Sequence, residues 1–526
     1  MKKTRLLLFL FFLLLSAIPC TQDIFSQSQF QLVIGDSLNI GEARCIIQTS
    51  DGGYIAAGES DTFGDMYIVK LNSSGQLQWS KTISSLDYDL ALSVVQTTDG
   101  GYVVSGLGSY FGPNIAGPFI VKLTSTGSVE WSRVLVGDFL GAAYSIVQTV
   151  DGGYITVNSM DDGGGTFRLT IVKLNNMGLL QWSKKIGSSY GRCIKQTTDR
   201  GYIVAGATWS SDVDMFVLKL DSNGSLQWAK TIGGPGDDFA YSVVQTTDGG
   251  YAVAGYTRSF GNWSKMYIAK LNNSGALQWT KVIAVDGDLA YSIVQTSDGG
   301  YAVAGATHGG GGTLIIKLSS NGSLQWSRVV DGNFVRSIIQ TSDGDYVAAG
   351  YGGIVGTRGM FIVKLDNNGN TCGNTVSHSI SVDSGGILNN HIPSVTDFLI
   401  NDTLVTPSTG SLGYVTPLCV IGIQPISSEI PATYKLYQNY PNPFNPSTKI
   451  KFDISGSLAA QTFLAVYDML GREVDVLVNS DLHPGTYEVD WDGSNYASGV
   501  YYYKLSVLNS GPSVKYQETK RMLLIK

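Results

Sequence analysis

The chain has 526 residues and a formal net charge of −7, with 43% hydrophobic and only 15% charged residues. So large an apolar fraction excludes a disordered chain. With no Lys/Arg cluster beyond the extreme N-terminus, binding driven by phosphate neutralisation is excluded, and no nucleic-acid partner is expected. Sixty-four glycines against 14 prolines, with abundant Thr, Ser, Val and Tyr, are the composition of a β-rich extracellular protein.

The N-terminus opens Met1-Lys2-Lys3-Thr4-Arg5, and Leu6–Ile18 is apolar but too short to span a bilayer comfortably. Residues 1–26 therefore read as a signal peptide, with the mature start between Thr21 and Gln29. No later stretch is long and apolar enough to span a membrane, so none is expected after signal removal.

An Asp-Gly-Gly-Tyr element then recurs, with its Asp at 51, 99, 151, 199, 248, 298 and 343, intervals of 45 to 52 residues. Two copies are degenerate, Asp199-Arg200-Gly201 and Asp343-Gly344-Asp345. A fixed period of this length means a propeller, solenoid or array. Each repeat holds four short alternating runs joined by tight turns, as in "YSVVQT", "YAVAGYT", "MYIAKLN" and "ALQWTKVI", with no helical periodicity. That is a propeller blade. Six repeats end in a Trp-bearing strand (Trp79, Trp131, Trp182, Trp228, Trp279, Trp326) and the seventh does not. "FQLVIG" before the first repeat matches the missing strand, so Phe30–Ile34 is expected to close blade seven and hide an open sheet edge. The expected fold is all-β: a seven-bladed β-propeller over 27–371, closed by its N-terminal strand. Asp-Gly is hairpin chemistry, and one Asp per turn does not make a calcium site. The repeated Asp is therefore a corner of the scaffold.

The pattern "KLDSNGSLQW" (Lys219–Trp228) resembles the tryptophan-docking repeat of quinoprotein-like propellers over residues 30–370. That family implies a quinone with a metal and acidic ligands and usually eight blades. No such site is identifiable in this sequence, and no cofactor or metal is expected. The bland reading of the Trp residues is packing between blades.

In such a blade the invariant turns "TDGG" and "NSSG" lie on one face, and the variable loops on the other. The variable face is the recognition candidate. It carries Asp61, Asp65, Asp87, Asp89, Asp212, Asp214, Asp237 and Asp238 beside Phe63, Tyr88, Trp209, Phe260 and Trp263. Acidic groups beside rings suit sugars, peptides or a cation, and the expected ligand is a glycan, a peptide or a surface protein; ordinary solvated loops are the plain alternative. Histidines are only His308, His378, His391 and His483, outside any catalytic spacing, so no catalytic residue is assigned. The reading is a binding or adhesion module. The alternative is a secreted hydrolase or lyase acting on polysaccharide from the same face.

Cys45 and Cys193 occupy a repeat position that is otherwise Ser (Ser93, Ser145, Ser242, Ser292, Ser337) and read as small buried residues. Cys372 and Cys419 flank the non-repetitive segment 372–433, a β-rich linker, and are the plausible disulfide.

The last segment, 434–526, begins "YKLYQNYPNPFNPSTKIKFDI". Its motifs are Asn439-Tyr440-Pro441-Asn442-Pro443-Phe444-Asn445-Pro446, then Asp468 and Gly471, Trp491-Asp492-Gly493, Gly499-Val500-Tyr501 and a basic-apolar tail ending at Lys526. Proline-punctuated turns and alternating strands read as a small seven-strand, immunoglobulin-like sandwich. The segment closely resembles the type A C-terminal sorting domain of the type IX secretion system of Bacteroidetes-type bacteria. The resemblance implies passage through the periplasm and across the outer membrane, contact with the secretion machinery, cleavage near 421–433, and release or attachment to surface lipopolysaccharide.

Overall fold

In the computed structural model the described residues are 29–526, except 36–40, 61–63, 85–87, 110–115, 137–139, 162–166, 188, 209–212, 262, 284–287, 308–311, 331–333, 355–356, 372–374, 378–381, 384–386, 391–394, 398–400, 405–407, 411–413, 421–423, 428–430, 457–459, 483, 495 and 509–513. The expected signal peptide lies outside them. No described helix is long and apolar enough to cross a membrane.

Seven antiparallel sheets follow one another along the chain. The first is Gly41–Gln48, Tyr54–Ser60, Met66–Leu71 and Leu77–Ser84. Its copies occupy 90–136, 140–186, 189–233, 238–283, 289–330 and 334–365. The seventh holds only three consecutive strands. Phe30–Gly35 supplies its fourth, with Gln31 opposite Val363 and Ile34 opposite Met360. The N-terminal strand closes blade seven as expected.

Three ladders of contacts tie neighbouring sheets, and each runs unbroken from the seventh to the first. The Gln ending each inner strand accepts a hydrogen bond from the turn of the preceding blade. Thr247 N–H donates to Gln295 at 2.8 Å, and Ser342 N–H donates to Gln48, also at 2.8 Å, across the seam. One layer deeper, Ser337 Oγ accepts from Ile46 N–H at 3.2 Å, while Cys45 and Cys193 stand in this serine ladder and donate to Val94 and Val243 carbonyls. Both thiols are free. Burial, set against smaller lowering contacts, pushes the Cys45 thiol up.

The third ladder is aromatic. Each Trp packs edge-on or tilted against the Tyr of the next blade, as Trp228 on Tyr251 at 5.6 Å between centroids. Phe30 takes the same place at the seam, 5.9 Å from Tyr54. Each such ring also covers a turn glycine of the next blade. A Cβ on Gly275, whose φ is +79°, would stand 2.9 Å from Trp228. Glycine is needed there for the left-handed turn and for the ring's approach.

Residues 375–420 place themselves differently from a linker. Thr375–Ser377, Val382–Asp383, Ile387–Asn390, Val395–Asp397, Asn401–Leu404, Ser408–Gly410 and Tyr414–Val420 each add an antiparallel fifth strand to one sheet. They visit blades six, five, four, three, two, one and then seven, against the order of the chain. The last of them pairs with the N-terminal strand, Phe30 opposite Val420. This belt satisfies outer-edge N–H and C=O groups that the four-stranded repeats leave open. Cys419 lies in its last strand opposite Gln31; Cys372 lies outside the described residues.

The C-terminal region is two four-stranded sheets. One contains Gln424–Ser427, Gly485–Asp492, Ser447–Ile454 and Lys435–Leu436; the other Glu473–Leu482, Ala460–Tyr467, Gly499–Leu508 and Val514–Leu524. Their inner faces share one core around Trp491, Phe452, Leu464 and Tyr503. Strand 424–427 lies within the segment read as a β-rich linker. It pairs with Gly485–Asp492, so the sandwich begins before residue 434.

Candidate functional site

The repeated Asp sits on the face of invariant turns, and all seven copies do the same thing. Asp248 Oδ1 accepts from Thr246 Oγ1 and, at 3.0 Å, from Gly250 N–H; its Oδ2 accepts from Lys270 Nζ at 2.8 Å. That ammonium is buried and also donates to the Leu271 carbonyl and Gln278. Equivalent pairs join Lys70, Lys122, Lys173, Lys219, Lys317 and Lys364 to their own turn Asp. Burial pushes these carboxyls up, but the ammonium, hydroxyl and glycine N–H outweigh it and hold Asp51, Asp99, Asp199, Asp248 and Asp298 at about 2. In the degenerate fourth copy Arg200 adopts φ +67°, the left-handed value of the glycines elsewhere. These aspartates are braces of the scaffold, as the turn chemistry suggests. Among the described residues no group of three or more His, Cys, Asp or Glu could hold a metal ion.

On the opposite face, Asp61, Phe63, Asp87, Trp209 and Asp212 lie outside the described residues. The others are brought together only in part. Asp237 is exposed and pairs with Arg258 at 3.5 Å. Its neighbour Asp238 is fully buried, accepting from Gly234 N–H at 2.9 Å and Ser259 Oγ at 2.8 Å. Burial holds its carboxyl above the usual range despite those bonds. Asp89 is likewise buried at the entry of its inner strand and accepts no solvent role. Tyr88 donates to Glu59 at 2.6 Å; Asp65 and Asp214 sit at the feet of their loops, each with its carbonyl accepting a hydrogen bond across the loop. Phe260 packs on Tyr267 at 5.9 Å, and Trp263 is 55% exposed beside it in blade five.

A second group on this side was not singled out from the sequence. Every inner strand carries a bulge one residue before its Ser or Cys. The extra residue in each is Arg44, Leu92, Tyr144, Arg192, Tyr241, Tyr291 or Arg336. A bulge re-aims its side chain, and here six of the seven form a continuous arc around the axis. Arg192 lies over Tyr144 and Tyr190 at 4.3 and 4.4 Å and reaches Tyr241 at 5.6 Å. Tyr241 meets Tyr291 at 5.1 Å, and Arg336 covers Tyr291 at 4.2 Å. Arg336 donates to Glu42 at 2.6 Å, and Arg44 pairs with Glu42 and Glu59 at 2.9 and 2.8 Å. Toward the loops the arc continues through Phe239 and Tyr256, stacked at 5.3 Å. The signal was present: within strands that repeat almost letter for letter, this one position reads Arg, Leu, Tyr, Arg, Tyr, Tyr, Arg.

In the C-terminal sandwich, the proline-rich motif is half core and half surface. Asn439 is buried; its N–H donates to Tyr503 Oη at 2.8 Å and its amide to Thr448 and the Pro441 carbonyl. Phe444 is buried against Trp491 at 5.4 Å, and its N–H and C=O pair with Leu523 and Ile525. Tyr440, Pro441, Asn442, Pro443, Asn445 and Pro446 are exposed. Trp491 packs on Tyr501, whose hydroxyl donates to the Ala497 carbonyl. Asp492 caps Ser494 N–H, Gly493 N–H donates to the Pro446 carbonyl, and Gly499 opens the strand paired to the tail. Lys526 is fastened to Ser498 and Ser494.

Residues 438–516 match the family model of the secretion system C-terminal sorting domain. The sorting domain makes this a secreted or outer-surface protein that engages the type IX secretion machinery. It touches the propeller through Asp475, which accepts from Trp491 Nε1 at 3.0 Å and from Gln76 of blade one at 2.7 Å. No curated protein matches the chain. Among solved structures, a protein of unknown function from Dyadobacter fermentans DSM 18053 is 14% identical, covering 64% of this chain and 99% of its own, with a TM-score of 0.38. A tetra-tandem repeat from the extending region of a large adhesion protein is 10% identical, covering 91% and 98%, with a TM-score of 0.15. Similarity at this level leaves the architecture to be read from the strands themselves.

Proposed function

We propose that the protein is a binding or adhesion module, exported by its sorting domain, that recognises a glycan, peptide or surface protein through the variable face of the propeller. The observation that supports this is the arc of arginine and tyrosine at the axis, on the side of the loops that differ from blade to blade. A closed, cross-braced ring holds these side chains rigidly, which lowers the ordering cost of binding. Rings with a few polar groups are what a recognition surface needs.

The proposed division is a signal peptide over 1–26, the propeller over 27–371, a β-rich segment over 372–433 whose strands to Val420 serve as its belt and whose last strand joins the C-terminal sandwich, and the sorting domain over 434–526. The Trp-over-Gly contacts favour the tryptophan-docking repeat type, and the two packed sheets favour an immunoglobulin-like sorting domain.

Two experiments test the reading. Deleting residues 424–526 should leave the protein inside the cell envelope, assayed by fractionation; undiminished surface or medium levels would defeat the export assignment. The full chain, screened against glycan and peptide arrays, should retain a defined subset of probes. Uniform blanks would remove the binding assignment.

A further inference from the structure

The arc is not electrically uniform. Arg44 and Arg336 are neutralised by Glu42 and Glu59. Arg192, in blade four, has no carboxylate against it among the described residues; its guanidinium lies between tyrosine rings. Its Nε is buried with no hydrogen-bond acceptor. A buried donor left unmade is costly, and a guanidinium is the group best shaped to take both oxygens of a carboxylate.

Three residues along the same strand, Lys195 stands where the other blades have Ile47, Val95, Val147, Val244, Val294 and Ile339. It is exposed. Blade four thus brings two cations with no ion pair among the described residues to a protein whose net charge is −7. Around Arg192, Tyr144 and Tyr241 are partly exposed, while Tyr190 is buried and its hydroxyl donates to Tyr144. Burial pushes the Tyr241 hydroxyl up to about 12, so it remains a donor at neutral pH.

We infer that Arg192, with the partly exposed Tyr144 and Tyr241 beside it and Lys195 three residues along the strand, is the binding site for a carboxylate-bearing sugar, a uronate residue of an acidic oligosaccharide. This rests on the binding role proposed for the same face and names its substrate class. The carboxylate meets the edge of a guanidinium that no protein carboxylate neutralises among the described residues, and the pyranose ring packs against Tyr144 or Tyr241. An acidic peptide fits less well, because side-chain carboxylates need no flat partner and a run of them would need more cations than Arg192 and Lys195 supply.

The test uses the full chain in calorimetric titrations with a short oligogalacturonate, its fully methyl-esterified form and an oligoglutamate. The free acid should bind and the ester should not. Arg192→Gln should weaken the free acid about tenfold or more, with Arg192→Lys falling between. Lys195→Gln, an exposed change that leaves the fold intact, should weaken it by a smaller factor. Equal binding of acid and ester, or unchanged affinity in both Gln variants, overturns the assignment while the array result still stands for the face. Binding confined to oligoglutamate overturns the sugar class, and binding of none of the three overturns the site.

Discussion

At the scale of single residues, the seven turn aspartates carry a pH dependence. Their folded values lie below the ordinary carboxylate value of 3.8, at about 2 for five of them. A depressed value means the unfolded chain binds the proton more tightly, so the stabilisation is complete above pH 4 and drains away as pH falls toward 2. Asp238, Asp345 and Asp475 have the opposite sign, raised by burial, and favour the folded state slightly as pH falls into the carboxylate range. Thermal unfolding of the full chain should therefore change little from pH 7 to 5 and drop steeply between 4 and 2. A melting temperature constant down to pH 2 would show that the braces contribute nothing. The turns were legible in the sequence because Asp-Gly has local chemistry. Their lysine was not, because a Lys in an alternating strand reads as solvent-facing, and only the blade geometry folds its ammonium back over the turn.

At the scale of elements, the seam strand is the piece on which closure depends. Phe30 is fully buried and replaces a tryptophan in the aromatic ladder. Phe30→Ala should cost about 3–5 kcal/mol by large-to-small truncation in a core, read by denaturant unfolding. Deletion of residues 27–35 should cost far more, since it also strips partners from Thr357–Leu365 and Tyr414–Val420. Unchanged unfolding after that deletion would sink the closed ring. This strand was legible because a complementary defect at the two ends of a repeat array has one geometric reading. The fifth strands were not legible. They are two to seven residues long, too short for periodicity to register, and their pairing partners lie in other repeats. The axial arc escaped notice for a related reason: bulges are set by the ladder, and alternation alone does not announce them.

At the scale of the whole molecule, the belt makes the propeller and the C-terminal tail one assembly. Removing residues 375–526 should leave seven exposed outer edges, and such edges pair with other chains. Size-exclusion chromatography should show association and scanning calorimetry a lower melting temperature than for a chain ending after residue 420. A monomer of unchanged stability would mean the fifth strands are idle. The reverse circuit of the belt also sets an order of assembly. Thr375 finds its partner Val330 close by along the chain, whereas Val420 must find Phe30 near its beginning. Closing longer loops costs more entropy, and distant pairings form late. The belt should thus zip from blade six backwards, and the N-terminal strand should be locked last. Until that final pairing, the N-terminal strand is held by Thr357–Leu365 alone and its outer edge is open to another copy, so the step most exposed to strand exchange is also the last one in time.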